Sequence, residues 1–249
     1  MKIFGNWKMY LDHNEAVLLS TELTKKLAGG NKDCEVAVFP SMLSLLEVRD
    51  KLASKVSIGA QNCAWVSKGA YTGEVSAHML ASVGCQYVLV GHSERRHVFG
   101  ESNELVRKKL EAVLDAGLTP VLCIGETQED KDEEKTQYRL KKQLLKALEG
   151  LKVYDNKMII AYEPVWAIGS GVPCLPADAD DVHGWIKNEV KQYLDFDIPV
   201  LYGGSVNSEN VLSYVSLDTV DGVLIGGASV KLDGFVNIIK LVNNNLITL

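Results

Sequence analysis

The chain is poor in the features that mark several protein classes. Its cysteines, Cys34, Cys63, Cys85, Cys123 and Cys174, are five in number and include no C-x-x-C pair. That argues against a disulfide framework or a zinc knuckle and fits a reducing compartment, so the expected location is cytoplasmic. Four of them read as small buried hydrophobes, whereas Cys174 lies in a loop and is expected to be exposed. No uncharged apolar run approaches the roughly 18 residues of a membrane span. The first apolar stretch is only Ile3-Phe4, so neither a membrane segment nor a secretory leader is expected. Basic residues are in deficit, 26 against 32 acidic, with a net charge of −6 and a pI near 5.4. This excludes the positive footprint of a nucleic-acid binder. An acidic protein can still bind an anion, but only at a locally positive site. Low-complexity tracts and Pro/Gly/Ser linkers are missing too, and no ligand cluster calls for a metal.

What is present is ordinary globular material: 249 residues, 47% hydrophobic and 23% charged. Short Val/Ile-rich runs recur at 2–7, 34–39, 56–61, 87–91, 119–125, 157–163, 198–203 and 220–226. Being nearly continuous rather than alternating, they suit strands buried on both faces of a parallel sheet. Helical spacing lies between them. Over 14–28 the expected inward stripe is Val17, Leu18, Thr21, Leu23 and Leu27. Over 131–149 it is Leu140, Leu144, Leu145 and Leu148, with the charge run 129–135 as a solvated helix start. Eight β-α units without a linker predict one domain over 1–249, an α/β closed (β/α)8 barrel of eight parallel strands ringed by eight helices. A doubly wound open sheet would place G-x-G-x-x-G after its first strand, and Gly5-Asn6-Trp7-Lys8 is not that.

Such barrels carry their active sites at the strand C-termini. Just past those ends stand Asn6 and Lys8, then Gly91-His92-Ser93-Glu94-Arg95-Arg96, Glu163 before Pro164, Gly203-Gly204-Ser205, and Gly226-Gly227-Ala228-Ser229. One by one they have plain alternatives: a solvated lysine, a structural histidine, a strand-ending glutamate, tight glycine turns. Together they place a cation, an imidazole, a carboxylate and two glycine-rich turns on one rim. The two turns are each expected to open a helix, near Ser205 and Ala228. Backbone N–H groups there would make an anion site from neutral backbone. The expectation is a barrel enzyme acting on a small phosphorylated substrate.

Six segments carry a closer resemblance. Gly5–Met9, Gly69–Ser76, Gly91–Arg96, Ala161–Gly169, Tyr202–Val206 and Gly226–Ser229 are similar, in order and spacing, to the motifs of the triosephosphate isomerases. The resemblance runs from residue 1 to about residue 240. It implies a TIM barrel that interconverts dihydroxyacetone phosphate and D-glyceraldehyde 3-phosphate without metal or organic cofactor. It assigns the base to Glu163 and the electrophile to His92. Lys8 and Asn6 would stabilise the enediolate oxyanion, with Glu94 positioning Lys8. The phosphate would be held by Gly169, Ser205, Gly226 and Gly227. Segment 164–175 resembles a closing lid, and Ile168, Leu224 and Tyr202 would cover the base. Loop 62–76, with Thr72, would reach the site of a second subunit in a homodimer, since Trp65, Val66, Ala70, Tyr71 and Val75 would otherwise leave an apolar patch. Two alternatives to an active isomerase stand beside it: an isomerase or lyase of another phosphosugar, and a catalytically impaired homologue retained for binding.

The chain departs from the family pattern at Val172-Pro173-Cys174, where small polar residues are usual. Proline fixes φ and removes an N–H, so a stiffer distal lid hinge is expected. Ser170 replaces the usual threonine and Tyr10 the usual asparagine.

Overall fold

A computed structural model describes residues 1–28, 34–52, 54, 56–153, 157–168 and 173–247. The apolar runs form eight strands: β1 Lys2–Asn6, β2 Glu35–Phe39, β3 Val56–Ala60, β4 Tyr87–Val90, β5 Thr119–Ile124, β6 Ile159–Tyr162, β7 Val200–Tyr202 and β8 Gly222–Ile225. All neighbours pair in parallel, and β1 closes on β8. The α-helices are α1 His13–Lys26, α2 Leu45–Lys51, α3 Ala77–Ser82, α4 Ser93–His97, α5 Asn103–Asp115, α6 Gln128–Asp132, α7 Thr136–Leu148, α8 Pro176–Val190, α9 Val211–Val215 and α10 Leu232–Ile247.

Strand alternation divides the apolar side chains between two cores. Phe4, Ala37, Phe39, Leu89, Val121, Cys123, Ile159, Ala161, Leu201 and Leu224 fill the barrel. Their neighbours Ile3, Val38, Val90, Ile124, Tyr162 and Tyr202 face outward and pack under the helices. β3 adds no side chain to the inner cluster because Phe39 occupies its space: a Cβ on Gly59 would lie 2.3 Å from the Phe39 ring. Phe4, Phe39 and Tyr87 pack their rings at tilted angles inside the barrel, with Phe4 4.9 Å from Tyr87 and 5.6 Å from Phe39. The interior is thus a packed plug, which leaves the rim as the place for chemistry.

Four expectations need correction. On α1 the buried stripe is Ala16, Leu19, Ser20 and Leu23, continuing to Leu27, while Leu18 is 64% exposed. Ser20 can enter the core because its hydroxyl donates to the Val17 carbonyl at 2.8 Å. Segment 131–149 is two helices, separated at Glu134, whose φ is +56°. Asp130 in the charge run is buried rather than solvated: it closes a capping box with Thr127, the N-cap of α6, and receives the Arg139 fork in two bonds of 2.9 Å. No helix starts at Ser205. The β7 exit is held in turns by Asn207 and Asn210, and α9 begins only at Val211. After β8 the expectation fits better, with a 3₁₀ turn over Gly227–Val230 leading to α10.

Candidate active site

At the C-terminal rim, β1, β4, β6, β7 and β8 bring the expected residues around a cavity of about 270 Å³. Asn6, Lys8, His92, Glu163 and Ile168 line one part of its wall. Gly203, Ser205, Leu224, Gly226 and Gly227 line another. The volume suits a molecule of triose size rather than a nucleotide.

Lys8 is placed by its backbone. Its φ is +49°, a left-handed conformation uncommon for a residue with a side chain. Asn6 Oδ1 accepts its N–H at 3.0 Å, and Gln61 Nε2 donates to its carbonyl at 2.7 Å while also reaching the Phe39 carbonyl. The side chain then crosses the rim. Lys8 Nζ lies 2.7 Å from Glu94 Oε1, and a Cβ on Gly226 would be 3.2 Å from Lys8 Cε.

His92 caps α4. Its Nδ1 accepts the Glu94 N–H at 3.2 Å, so that nitrogen presents a lone pair and the proton of the neutral ring sits on Nε2. Nε2 points at Glu163 Oε1, 3.1 Å away. Glu163 is only 2% exposed. Its Oε2 accepts the Ser93 N–H at 2.8 Å, and its own N–H donates to the Ile124 carbonyl at 2.7 Å. Two glycines make room for it: a Cβ on Gly125 would lie 1.8 Å from the Glu163 carbonyl oxygen, and one on Gly203 2.9 Å from Glu163 Cγ. A buried carboxylate meets a neutral imidazole here, beside the Lys8 ammonium. That arrangement can take a proton from carbon and polarise an adjacent carbonyl.

The approach to 169–172 is braced from behind. Trp166 Nε1 and the Tyr162 hydroxyl both donate to Glu126 Oε1, at 2.7 and 3.0 Å, and burial pushes the Glu126 carboxyl pKa up. Ser205 Oγ donates to the Ala167 carbonyl at 2.7 Å, and the Tyr214 hydroxyl to the Cys174 carbonyl at 2.5 Å. Cys174, expected to be exposed, is buried, and burial pushes its thiol pKa up to about 12. Pro173 is exposed, whereas Gly169, Ser170 and Val172 lie outside the described residues.

One further expectation meets the structure differently. Tyr202 does not cover Glu163. Leu201 takes the inward position, so Tyr202 turns outward, stacks on Tyr214 at 4.1 Å and packs near His183. Thr72 is exposed and does not line the cavity of its own chain. Tyr10, by contrast, lines the cavity mouth. Sequence reasoning missed Gln61, Glu126 and Tyr214, whose partners are distant in sequence. Gln61 follows β3 directly, so a search of every strand end would have found it.

The comparisons agree with this geometry. The family model described as triosephosphate isomerase matches residues 1–242. A triosephosphate isomerase of Dictyoglomus thermophilum is 40% identical over 245 residues, covering 96% of this chain and 98% of the relative. One from Aquifex aeolicus is 41% identical, covering 95% of this chain and 97% of the relative. One from Francisella tularensis subsp. novicida is 44% identical, covering 97% and 96%. With a closed parallel barrel, a rim that joins carboxylate, imidazole and ammonium, and likeness along nearly its whole length, the chain belongs to the triosephosphate isomerase family.

Proposed function

We propose that Glu163 is the base with which this enzyme interconverts dihydroxyacetone phosphate and D-glyceraldehyde 3-phosphate. The observation that carries this is the 3.1 Å contact between the buried Glu163 carboxylate and the protonated nitrogen of a neutral His92. On substrate binding Glu163 leaves the Ser93 N–H and takes a proton from the carbon beside the carbonyl. The C–H electron pair becomes the C=C bond of an enediolate, and the carbonyl π pair moves to oxygen. His92 Nε2–H gives its proton to that oxygen and recovers one from the neighbouring hydroxyl, so the ring ends as it began. Glu163 returns its proton to the adjacent carbon. Lys8 and Asn6 stabilise the oxyanion, and Glu94 holds Lys8 in place. Backbone N–H groups of Gly169, Gly226 and Gly227, together with Ser205, take the phosphate.

Closure of the lid over Ile168 and Leu224 excludes water, strengthens the base and limits loss of phosphate from the enediolate. One catalytic domain, free of cofactor and cytoplasmic, is part of the same proposal. So is a homodimer about a two-fold axis. Exposed apolar side chains on the loops that follow β1 to β4 support it: Met9 is 95% exposed, Leu43 89%, Phe99 65% and Tyr71 43%.

The test is turnover of D-glyceraldehyde 3-phosphate by the purified chain with no metal or cofactor in the isomerisation step. Glu163→Gln is expected to lower kcat by roughly 10³-fold while leaving phosphate binding intact. Retained turnover would remove Glu163 from the role of base.

A further inference from the structure

The chemistry above leaves Arg96 unused. Its guanidinium is a fork of three donors: Nε to the Gly91 carbonyl at 2.6 Å, Nη1 to Asn103 Oδ1 at 2.8 Å and Nη2 to the Cys123 carbonyl at 3.1 Å. Those acceptors belong to the exit of β4, the start of α5 and the body of β5. Among the described residues no carboxylate forms an ion pair with it, although Arg95 beside it pairs with Glu101 at 2.7 Å.

The position of the fork is specific. Gly91 immediately precedes His92. Cys123 immediately precedes Ile124, whose carbonyl receives the Glu163 N–H at 2.7 Å. Gly91 has φ +71°, and a Cβ there would lie 2.7 Å from Arg96 Nη2. The fork therefore packs directly on the turn that presents His92, and it ties that turn to the strand on which Glu163 is anchored. Burial pushes the guanidinium pKa down. Lysine could not replace it, because three acceptors on three elements need donors spread over a rigid plane.

We propose that Arg96 is a positioning residue of the isomerisation: it clamps the β4 exit to β5 and thereby fixes the contact between His92 and Glu163. The proposal rests on reading those two residues as the reacting pair.

The experiment compares Arg96→Lys and Arg96→Met with the wild-type enzyme. Three quantities are read: kcat, the Kd of inorganic phosphate, and the midpoint of thermal unfolding. Both variants should lose about 10- to 100-fold in kcat, the scale expected when reacting groups are displaced by a fraction of an ångström to an ångström. Phosphate Kd should stay within twofold of wild type, because Ser205, Gly226 and Gly227 are untouched. A kcat within twofold of wild type in Arg96→Met overturns the proposal. So does a joint loss of kcat, phosphate affinity and thermal stability, since that is general loosening. Should both variants fail to fold, Asn103→Ala removes a single acceptor. It should lower kcat several-fold, and an unchanged kcat there overturns the proposal. Full turnover by Glu163→Gln would instead sink the underlying assignment of the base, whatever Arg96 does.

Discussion

Acid should loosen this barrel through His183, a residue outside the reacting set. His183 lies on α8 and is completely buried, with Nδ1 3.4 Å from the Thr219 carbonyl and the rings of Tyr162 and Tyr202 at 5.7 and 6.3 Å. Desolvation lowers its pKa from 6.5 to about 4. The Thr219 carbonyl and the carboxylates of Asp221 and Asp180 push the other way, and Lys187 adds to the lowering. The unfolded chain therefore takes up this proton first. Stability from the neutral ring is complete above pH 6.5, falls as the pH drops towards 4, and levels off below. A gap of about 2.5 pH units at ~1.4 kcal/mol each makes this roughly 3 kcal/mol, an order-of-magnitude figure that is large beside a typical net stability. The assay is urea unfolding from pH 4 to pH 8 for the wild type and for His183→Gln. The glutamine keeps a donor for Thr219 but does not titrate. Its absolute stability will differ through packing, so the decisive quantity is slope. The wild type should lose roughly 3 kcal/mol more than the variant between pH 6.5 and 4. Parallel curves would refute the account of His183 as a neutral buried ring.

Three other outcomes follow from the same structure. Lys8→Met should cost roughly 10²- to 10³-fold in kcat/KM, because it removes the ammonium from the oxyanion side of the cavity; steady-state kinetics that match the wild type would contradict the role given to Lys8. Cys174 should resist thiol reagents at pH 8 in the folded protein, since burial holds its thiol pKa at about 12, and should react once urea exposes it. Tyr71→Glu should convert the proposed dimer into monomers in sedimentation velocity, by placing a charge in the apolar loop 62–76; an unchanged sedimentation coefficient would argue that this loop is not at the interface.

The strands and the rim were legible because both follow from short-range pattern. Each expected run contains its observed strand, within two residues at either end, since a strand buried on both faces has to be continuously apolar. Lys8, His92 and Glu163 follow the strand ends directly, so locating the strands located them. What escaped depends on partners far along the chain. Asp130 reads as one charge in a solvated run until Arg139 is seen to fold back on it. Cys174 reads as a loop thiol until Tyr214, forty residues on, is found holding its carbonyl. The motif alone gives Tyr202 a cover role, but alternation along β7 fixes its direction, outward, once Leu201 takes the interior. On α1 the expected and observed stripes share Leu23 and Leu27 but differ in the first two turns, where Ser20, satisfied by the Val17 carbonyl, takes a buried position that apolar counting does not give it and Leu18 faces out.

The central claim is that Glu163 carries a proton between adjacent carbons. The most direct measurement is isomerisation in D₂O, with the product examined by NMR for deuterium at the carbon beside the new carbonyl or hydroxyl. A base that exchanges with solvent during the lifetime of the enediolate should leave deuterium there, and Glu163→Gln should abolish both the label and the turnover. Rapid isomerisation with no solvent deuterium in the product, unaffected by Glu163→Gln, would mean that hydrogen moves directly between the carbons and would contradict the mechanism.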